Sequence, residues 1–486
     1  MRAPLSPIPI PNARPGRPGA ALVIALLVLP WVHPWAPGPQ SNTVPLLVGW
    51  GALALLLALG RLPTLSELAR GWACAALLGS AMGLLQYFGE AGLLGGWVHV
   101  PAYLGDAVGN LRQRNQLATL TGIGAVAVLC LQAQGLPRGQ ALWMLALLAA
   151  GNAATGSRTG LLQWLLLPAL QGLWQAASRP RRSAWSWPLL LWALGVYLLA
   201  SLLLPPALAA WRGAGVDSAM ARMGEVSGCG SRSVLWANVL HLIGQKPWTG
   251  WGWSELKYAH YMADYPGPRF CDILGNAHNL PLQLAFAFGI PAAVLAVGAG
   301  LALALRARPW RLSHEGSSLG WGVLAMVGLH SLLEYPLWYS PFQLATLLAT
   351  VLLWPRAQRL LSRQRGSVAV LALAGLCLLT FIGWDYQRMR QIYLPPAERS
   401  SLWQDDPWAH ARQTVFFGEA VRFAEFSSTE VTAQNAAAML QTAQAVLHYS
   451  PEPRVIDKLI DSARLSGHEA LAQWHVRQKQ AAYPTR

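Results

Sequence analysis

Long apolar segments separated by short polar connections fill the first four-fifths of the chain. A helix that crosses a bilayer needs about 20 mostly apolar residues, although several of these segments are shorter or contain Gly and Pro. We therefore predict an all-α polytopic integral membrane protein with about 11 transmembrane helices (10–12). The predicted spans are Ala20–Val32, Val44–Leu59, Gly71–Phe88, Leu117–Leu131, Ala141–Thr155, Thr159–Gln175, Trp187–Leu208, His278–Leu305, Leu319–Leu333, Trp338–Trp354 and Ser367–Trp384.

Two polar regions interrupt this pattern and define the predicted domains. The first is a large loop before the eighth span, and the second is a tail with helical periodicity at Ala411–Phe423, Val431–Leu447, Pro453–Leu465 and Glu469–Gln480. We expect the tail to lean on the membrane domain. The predicted divisions are a cytoplasmic tail at 1–19, spans at 20–208, a large periplasmic loop at 209–277, further spans at 278–385 and a periplasmic helical domain at 386–486. A cleaved signal peptide is the alternative for the short first span, because basic and apolar regions are both present there.

Arginine is unevenly distributed and predicts the orientation. Sixteen Arg fall in segments assigned to the side of the N-terminus, against three in the short loops of the opposite side. By the positive-inside rule, the N-terminus is cytoplasmic and the large loop and tail lie outside, in the periplasm next to a bacterial inner membrane. The net charge of +15 is explained by the same asymmetry, which favours a lipid bilayer over nucleic acid as the partner.

Cysteine usage and known motifs narrow the chemistry. Cys229 and Cys271 both lie in the large loop and could form a disulfide if that side is oxidising. There is no His/Cys cluster with metal spacing, so we predict no zinc site and no cofactor. The chain also lacks a Walker loop, a G-x-G-x-x-G fingerprint and a G-x-S-x-G elbow.

Two residues in or directly after the large loop are candidates for chemistry. His278 lies at the predicted outer end of the eighth span, beside Asn276 and Asn279. A neutral imidazole can accept the proton of an attacking hydroxyl, and the alternative is an interfacial His bonded to a loop carbonyl. Arg232 opens an amphipathic segment, where its guanidinium could clamp a phosphate; the alternative is a solvated loop Arg.

Three further groups lie at the outer ends of predicted spans. Arg158 sits in a turn so tight that it must lie at membrane level, and an unpaired Arg at mid-bilayer costs at least about 2.5 kcal/mol. It should face a polar cavity or an anion, or else snorkel to the interface. The amide-rich segment Gly109–Gln116 indicates a polar lining or an interfacial collar. His330 and Glu334 are four apart, so on one helix they share a face; we favour a site-lining or structural role for them.

These motifs resemble those of bacterial protein O-oligosaccharyltransferases, the pilin-glycosylating branch of the O-antigen ligase and polymerase superfamily. The segments that carry the resemblance are Leu29–Pro34, Gly109–Asn115, Ser157–Gly160, Ala277–Gln283, Leu333–Tyr339 and Tyr449–Arg454. Together they extend over nearly the whole chain. One departure is Gln116, where relatives often carry another polar residue such as His.

The resemblance implies transfer of a glycan from an undecaprenyl-diphosphate carrier to Ser or Thr of a pilin or another periplasmic protein, without a metal. It implies that His278 assists the acceptor hydroxyl and that Arg158 and Arg232 hold the diphosphate, all at one cavity. The residues expected to bind substrate are Arg112, Gln113, Asn115, Asn279, His330 and Glu334. The alternatives are an O-antigen ligase acting on lipid A core, a repeat-unit polymerase, and a lipid-linked-sugar transporter without chemistry.

Overall fold

The computed structural model describes residues 19–177, 185–213 and 228–483. The predicted N-terminal tail, apart from Gly19, and the basic connection at Arg179, Arg181 and Arg182 lie outside the described residues. Within the described ranges all regular secondary structure is helical. The helices are α1 (Ala20–Val32), α2 (Thr43–Ala58), α3 (Leu65–Tyr87), α4 (Arg114–Ala133), α5 (Arg138–Thr155), α6 (Arg158–Ala177), α7 (Trp187–Arg212), α8 (Arg232–Gln245), α9 (Leu256–Met262), α10 (Leu280–Phe288), α11 (Ile290–Ala307), α12 (Ser317–Ser331), α13 (Ser340–Leu353), α14 (Pro355–Arg363), α15 (Arg365–Arg390), α16 (Pro407–Arg412), α17 (Gly418–Ser428), α18 (Ala436–Tyr449), α19 (Pro453–Leu465) and α20 (Glu469–Ala482).

Five of the described helices are long and apolar enough to cross a membrane. They are α3, α4, α7, α11 and α15, and shorter apolar helices occur at α1, α2 and α13. The chain is therefore an all-helical membrane protein, and the number of about 11 spans stays a prediction. Most predicted spans coincide with one helix each to within a few residues, because their apolar runs end at the Gly, Pro and Arg that end the helices.

The prediction of one continuous span at His278–Leu305 is wrong. The stretch forms two helices, α10 and α11, which are separated by Gly289 at φ 85°. The carbonyl of Trp248 approaches Gly289 so closely that a Cβ there would overlap it, and the Ile290 N–H donates to Pro247 O at 2.8 Å. A distant loop segment therefore packs against the chain at the point where the helix is broken. Of the two helices, only α11 is long enough to span a membrane.

The chain divides into two compact units, Met1–Glu225 with Ala307–Thr380 and Val226–Arg306 with Phe381–Arg486. In the first unit α4 is central: 89% of its apolar window is buried in protein, and it packs against α3, α5, α6 and α12. Small residues permit this close packing, since a Cβ on Gly124 would overlap Ala76 of α3. Close approach at small residues is how helices associate where there is no water to drive them together.

In the second unit the large loop and the tail form adjoining cores. Helices α8 and α10 pack together through Leu235, Val239 and Phe286. The tail helices α17 to α20 form a second core that includes Tyr261 of the loop helix α9. Within this unit the tail packs against the loop, and its expected contact with the membrane domain stays a prediction. The predicted tail helices at Pro453–Leu465 and Glu469–Gln480 coincide with α19 and α20.

Candidate functional site

The amide-rich segment of the first unit begins α4. Gln113 is the N-cap residue of this helix, and its side-chain oxygen accepts from the Gln116 N–H at 2.6 Å. Arg112 has φ 60° and donates to the carbonyls of Pro34 at 2.9 Å and Ala36 at 3.3 Å. Arg112 therefore ties the connection after α1 to the start of α4.

Two buried amides, Gln86 and Asn110, hold this segment in place. Gln86 accepts from the N–H groups of Val108 and Gly109 and donates to His99 O at 2.7 Å. Asn110 donates to Val32 O at 2.6 Å and accepts from the His99 N–H at 2.9 Å. Asn110 belongs to the amide-rich segment noted from the sequence, whereas Gln86 was missed. The signal for Gln86 was an amide inside an otherwise apolar predicted span, because a buried polar group needs partners.

Asn115 links three segments that are distant in sequence. Its amide donates to a Glu334 carboxylate oxygen at 3.1 Å, and its carbonyl oxygen accepts from the Ser157 hydroxyl at 2.6 Å. The Ser157 oxygen in turn accepts from the Gly160 N–H at 3.0 Å, in the first turn of α6. Ser157 and Glu334 are both buried. The network therefore fixes the start of α6, which begins at Arg158.

Arg158 occupies the first position of α6 and is exposed. No hydrogen bond or ion pair joins it to another residue in the part of the chain that the structure describes. The positive end of a helix dipole and unpaired backbone N–H groups surround a residue at this position, an environment that favours an anion. Arg158 is thus available to a ligand, while Asn115 and Glu334 hold its helix in place.

His330 is closed off inside the first unit. It is 1% exposed, and its Nδ1 is 2.9 Å from the hydroxyl of Thr119, which also accepts from the Gln163 amide at 2.9 Å. The expected helix face shared with Glu334 does not form, because α12 ends at Ser331 and Glu334 follows in the connection before Pro336. Of the two residues, Glu334 is the one bonded to the amide-rich segment.

His278 has a left-handed backbone with φ 49°, an uncommon conformation for a residue other than Gly. Its N–H donates to the Asn276 side chain at 2.9 Å, and the preceding Ala277 N–H donates to Gln283 at 2.8 Å. Asn279 caps α10 by accepting from the Leu282 N–H at 3.1 Å. Side-chain contacts on both sides thus hold the half-buried His278 in a strained conformation, as is frequent at functional sites.

Arg232 is the first residue of α8, whose N-cap Ser231 accepts from the Val234 N–H at 3.3 Å. One turn along the same face, the indole of Trp236 donates to Ala277 O at 3.1 Å. Residues four apart lie on one helix face, so Arg232 shares the face from which Trp236 contacts the segment that carries His278. The second unit therefore brings a guanidinium and an imidazole to neighbouring segments.

The segments that precede Arg232 and His278 are held by a disulfide and by hydrogen bonds. Cys229 and Cys271 form a disulfide with Cα atoms 5.4 Å apart, the pairing considered from the sequence. Asn238 of α8 donates to Pro268 O at 2.9 Å and accepts from the Phe270 N–H at 2.8 Å. These contacts fasten the segment before His278 to the helix that begins at Arg232.

Removing the disulfide is expected to destabilise the large loop and lower activity. The bond closes a 42-residue separation, for which chain entropy predicts a contribution of about 4 kcal/mol. Thermal unfolding of the Cys229→Ser/Cys271→Ser protein measures the loss, with Cys377→Ala, an exposed free thiol, as the matched control. Non-reducing mass mapping that finds Cys229 and Cys271 as free thiols in the native protein contradicts the pairing.

A second histidine of the loop has a structural role. His260 is buried, with Nδ1 2.8 Å from the Tyr265 hydroxyl and Nε2 3.2 Å from Phe270 O. Burial, reinforced by the nearby Arg269 charge, lowers the pKa of His260 to about 3. His260 therefore stays neutral near pH 7, and its two hydrogen bonds stabilise the loop. Nothing in the sequence distinguished it from a reactive His.

The candidate residues belong to the two units separately. Gln113, Asn115, Arg158 and Glu334 lie in the first, and Arg232 and His278 in the second. In the described ranges no three His, Cys, Asp or Glu side chains come together as metal ligands. The fold and these residues define a helical membrane protein with ionisable groups held on a structured polar loop and at a helix start.

Comparison with known families identifies the class more closely. The O-antigen ligase family matches residues 143–297, which include Arg158, Arg232 and His278. The family described as virulence factor membrane-bound polymerase, C-terminal, matches 318–486, and that described as protein glycosylation ligase matches 107–131. The chain belongs to the O-antigen ligase and polymerase superfamily. The two ligase families indicate an enzyme that transfers glycans. No curated protein and no solved structure matches the chain.

Proposed function

We propose that the protein transfers an oligosaccharide from an undecaprenyl-diphosphate carrier to Ser or Thr hydroxyls of a pilin or another periplasmic protein, without a metal. The observation that carries the proposal is the arrangement in the second unit, where strained His278 adjoins the face of the helix that begins at Arg232. Attack by a hydroxyl on a glycosyl diphosphate needs a proton acceptor and a cation for the leaving group.

The reaction is a single displacement at the anomeric carbon. The acceptor oxygen forms a bond to this carbon while the bond between the carbon and the diphosphate oxygen breaks. The His278 imidazole takes the proton of the acceptor hydroxyl. The electron pair of the broken bond leaves with the diphosphate, whose charge Arg232 stabilises, since a guanidinium binds phosphate oxygens in bidentate fashion. Arg158, exposed at the start of α6, is proposed as a further phosphate-binding residue.

The remaining predicted site residues have supporting roles in this proposal. Asn115 and Glu334 position the start of α6 through Ser157. Gln113 and Asn279 act as helix N-caps at the starts of α4 and α10. The Arg112 guanidinium donates to Pro34 and Ala36, and His330 is buried. We therefore assign both of these residues to the scaffold instead of to direct substrate binding.

A protein acceptor is favoured by two observations. The match to a protein glycosylation ligase covers the amide-rich segment at the start of α4, and the tail adds a folded helical surface that packs on the large loop. An O-antigen ligase, with lipid A core as acceptor, is the second candidate, favoured by the longer match over 143–297. The two candidates share the donor and the chemistry.

A parallel acceptor assay tests the proposal. Purified full-length protein in lipid nanodiscs receives undecaprenyl-diphosphate-linked glycan, with pilin and lipid A core offered together in the presence of EDTA. We expect glycan on pilin Ser or Thr by mass spectrometry and no modified core. Modified core alone supports the ligase alternative and overturns the acceptor assignment. If EDTA abolishes transfer and a divalent ion restores it, the metal-independent mechanism is wrong.

A further inference from the structure

The tail begins with an exposed aromatic surface where α15 leaves its apolar stretch. Only 6% of the apolar window of α15 is buried in protein, and Trp384, which directly precedes Asp385, is exposed. Trp and Tyr are enriched where spanning helices meet the membrane interface. The exposed Trp384 at this end of α15 is therefore of the kind that anchors a spanning helix at a membrane interface.

Side chains of the tail extend this surface without a break. Phe381 stacks on Trp384 at 5.8 Å between ring centroids and contacts the edge of Phe416 at 6.1 Å, while Trp384 meets Trp403 at 6.2 Å. Leu402, Val415 and Phe416 are 72%, 64% and 50% exposed. The aromatic patch thus comprises Phe381, Trp384, Leu402, Trp403, Val415 and Phe416.

A buried carboxylate fixes the outer part of the patch to the helix. Asp385 is 0% exposed and accepts from the Thr414 hydroxyl at 2.8 Å and from the N–H groups of Val415 and Phe416 at 3.0 Å each. Arg388 donates to the same carboxylate at 2.6 Å and lies 4.6 Å over the Trp384 ring. Hydrogen bonds to an ionised group are the stronger kind. Exposed Val415 and Phe416 are therefore held rigidly beside the last apolar turn of α15.

We infer that the aromatic patch is an interfacial anchor that inserts into the lipid headgroup region around α15. Lipid is the occupant because two of the six patch residues, Phe381 and Trp384, belong to the apolar helix α15 itself and the other four continue its surface. Aromatic and aliphatic side chains at this depth bind through burial of apolar area at the interface. The tail also packs on α9 of the large loop, so the anchor sets the height of this loop above the membrane.

Depth-dependent fluorescence quenching tests the anchor. A bimane label is attached to Phe416→Cys in a protein with Cys74, Cys130 and Cys377 replaced by Ala and the Cys229–Cys271 disulfide retained. The nanodiscs contain lipids brominated near the headgroup end of the chain. We expect stronger quenching by bromolipid than by aqueous iodide. Arg477→Cys, at an exposed position of α20, is the matched control and should be quenched mainly by iodide.

A second label position keeps the test decisive if Phe416→Cys fails to fold. Leu402→Cys should show the same preference for bromolipid, because it lies in the same exposed patch. Iodide quenching at both patch positions equal to that at position 477 overturns the anchor. Protection of both positions from both quenchers also overturns it, since it means that protein covers the patch.

Discussion

Replacing His278 by Ala is expected to lower kcat for glycan transfer by about 10²–10⁴-fold. The loss follows from removing the group that takes the proton of the acceptor hydroxyl. Initial rates with lipid-linked glycan and an excess of pilin acceptor measure it. Insertion and folding are checked by gel filtration and by the intact Cys229–Cys271 disulfide.

The backbone of His278 requires its own control, because Ala at φ 49° adds strain as well as removing the imidazole. Gly adopts this conformation readily, so His278→Gly removes the imidazole without the strain and should be as inactive as His278→Ala. His241→Ala, at a half-buried position of α8 in the large loop where the imidazole is hydrogen-bonded to Gln245, should keep normal activity. Recovery of activity in His278→Gly means that the backbone, not proton transfer, explains the loss.

Replacing Arg232 by Ala is expected to lower kcat by about 10²–10³-fold, the cost typical of removing one group that stabilises a developing negative charge. Arg232→Lys keeps the charge but loses the bidentate geometry of the guanidinium. The rate of this variant should therefore fall between the rates of the native protein and Arg232→Ala. Steady-state rates at saturating acceptor measure the series. A loss of leaving-group stabilisation appears mainly in kcat, since the diphosphate gains charge as the bond breaks.

A donor with a better leaving group gives an independent readout for Arg232. The activity of Arg232→Ala should recover in part with an activated glycosyl donor, whereas misfolding would not be rescued. Arg422→Ala is the matched control, because Arg422 is an exposed cation of α17 paired with Glu419. Equal rates for Arg232→Ala and the native protein show that Arg232 is only a solvated loop residue.

The predictions from sequence were most accurate where one local pattern decides the structure. The apolar run at 117–131 predicted most of α4, and the helices at Pro453–Leu465 and Glu469–Gln480 were predicted to within two residues. The disulfide followed from two cysteines on one loop. These features depend on hydrophobic periodicity, on residues that end helices and on the presence of both cysteines in one loop. Each of these can be recognised in a short stretch of sequence.

The errors arose where a distant segment intervenes. The break at Gly289 depends on Trp248, and the burial of His330 depends on Thr119 and Gln163, which belong to other helices. His260 and His278 are both histidines of polar segments, and the sequence does not distinguish them. The structure does, because only His260 is enclosed by Tyr265 and Arg269. A polar residue within an apolar segment predicts that a hydrogen-bond partner exists, but the sequence does not identify that partner.

The sequence by itself determined the class of molecule: an all-helical membrane protein with a polar loop, a helical tail and a short set of candidate residues. Burial against lipid is a property of each segment, so hydropathy encodes it locally. Tertiary structure alone decided which polar groups meet. It joined Asn115 to Glu334, gave His278 its left-handed backbone and fixed Phe416 to Asp385. Polar groups away from water must find partners wherever the fold brings them, and the residues that meet lie far apart along the chain.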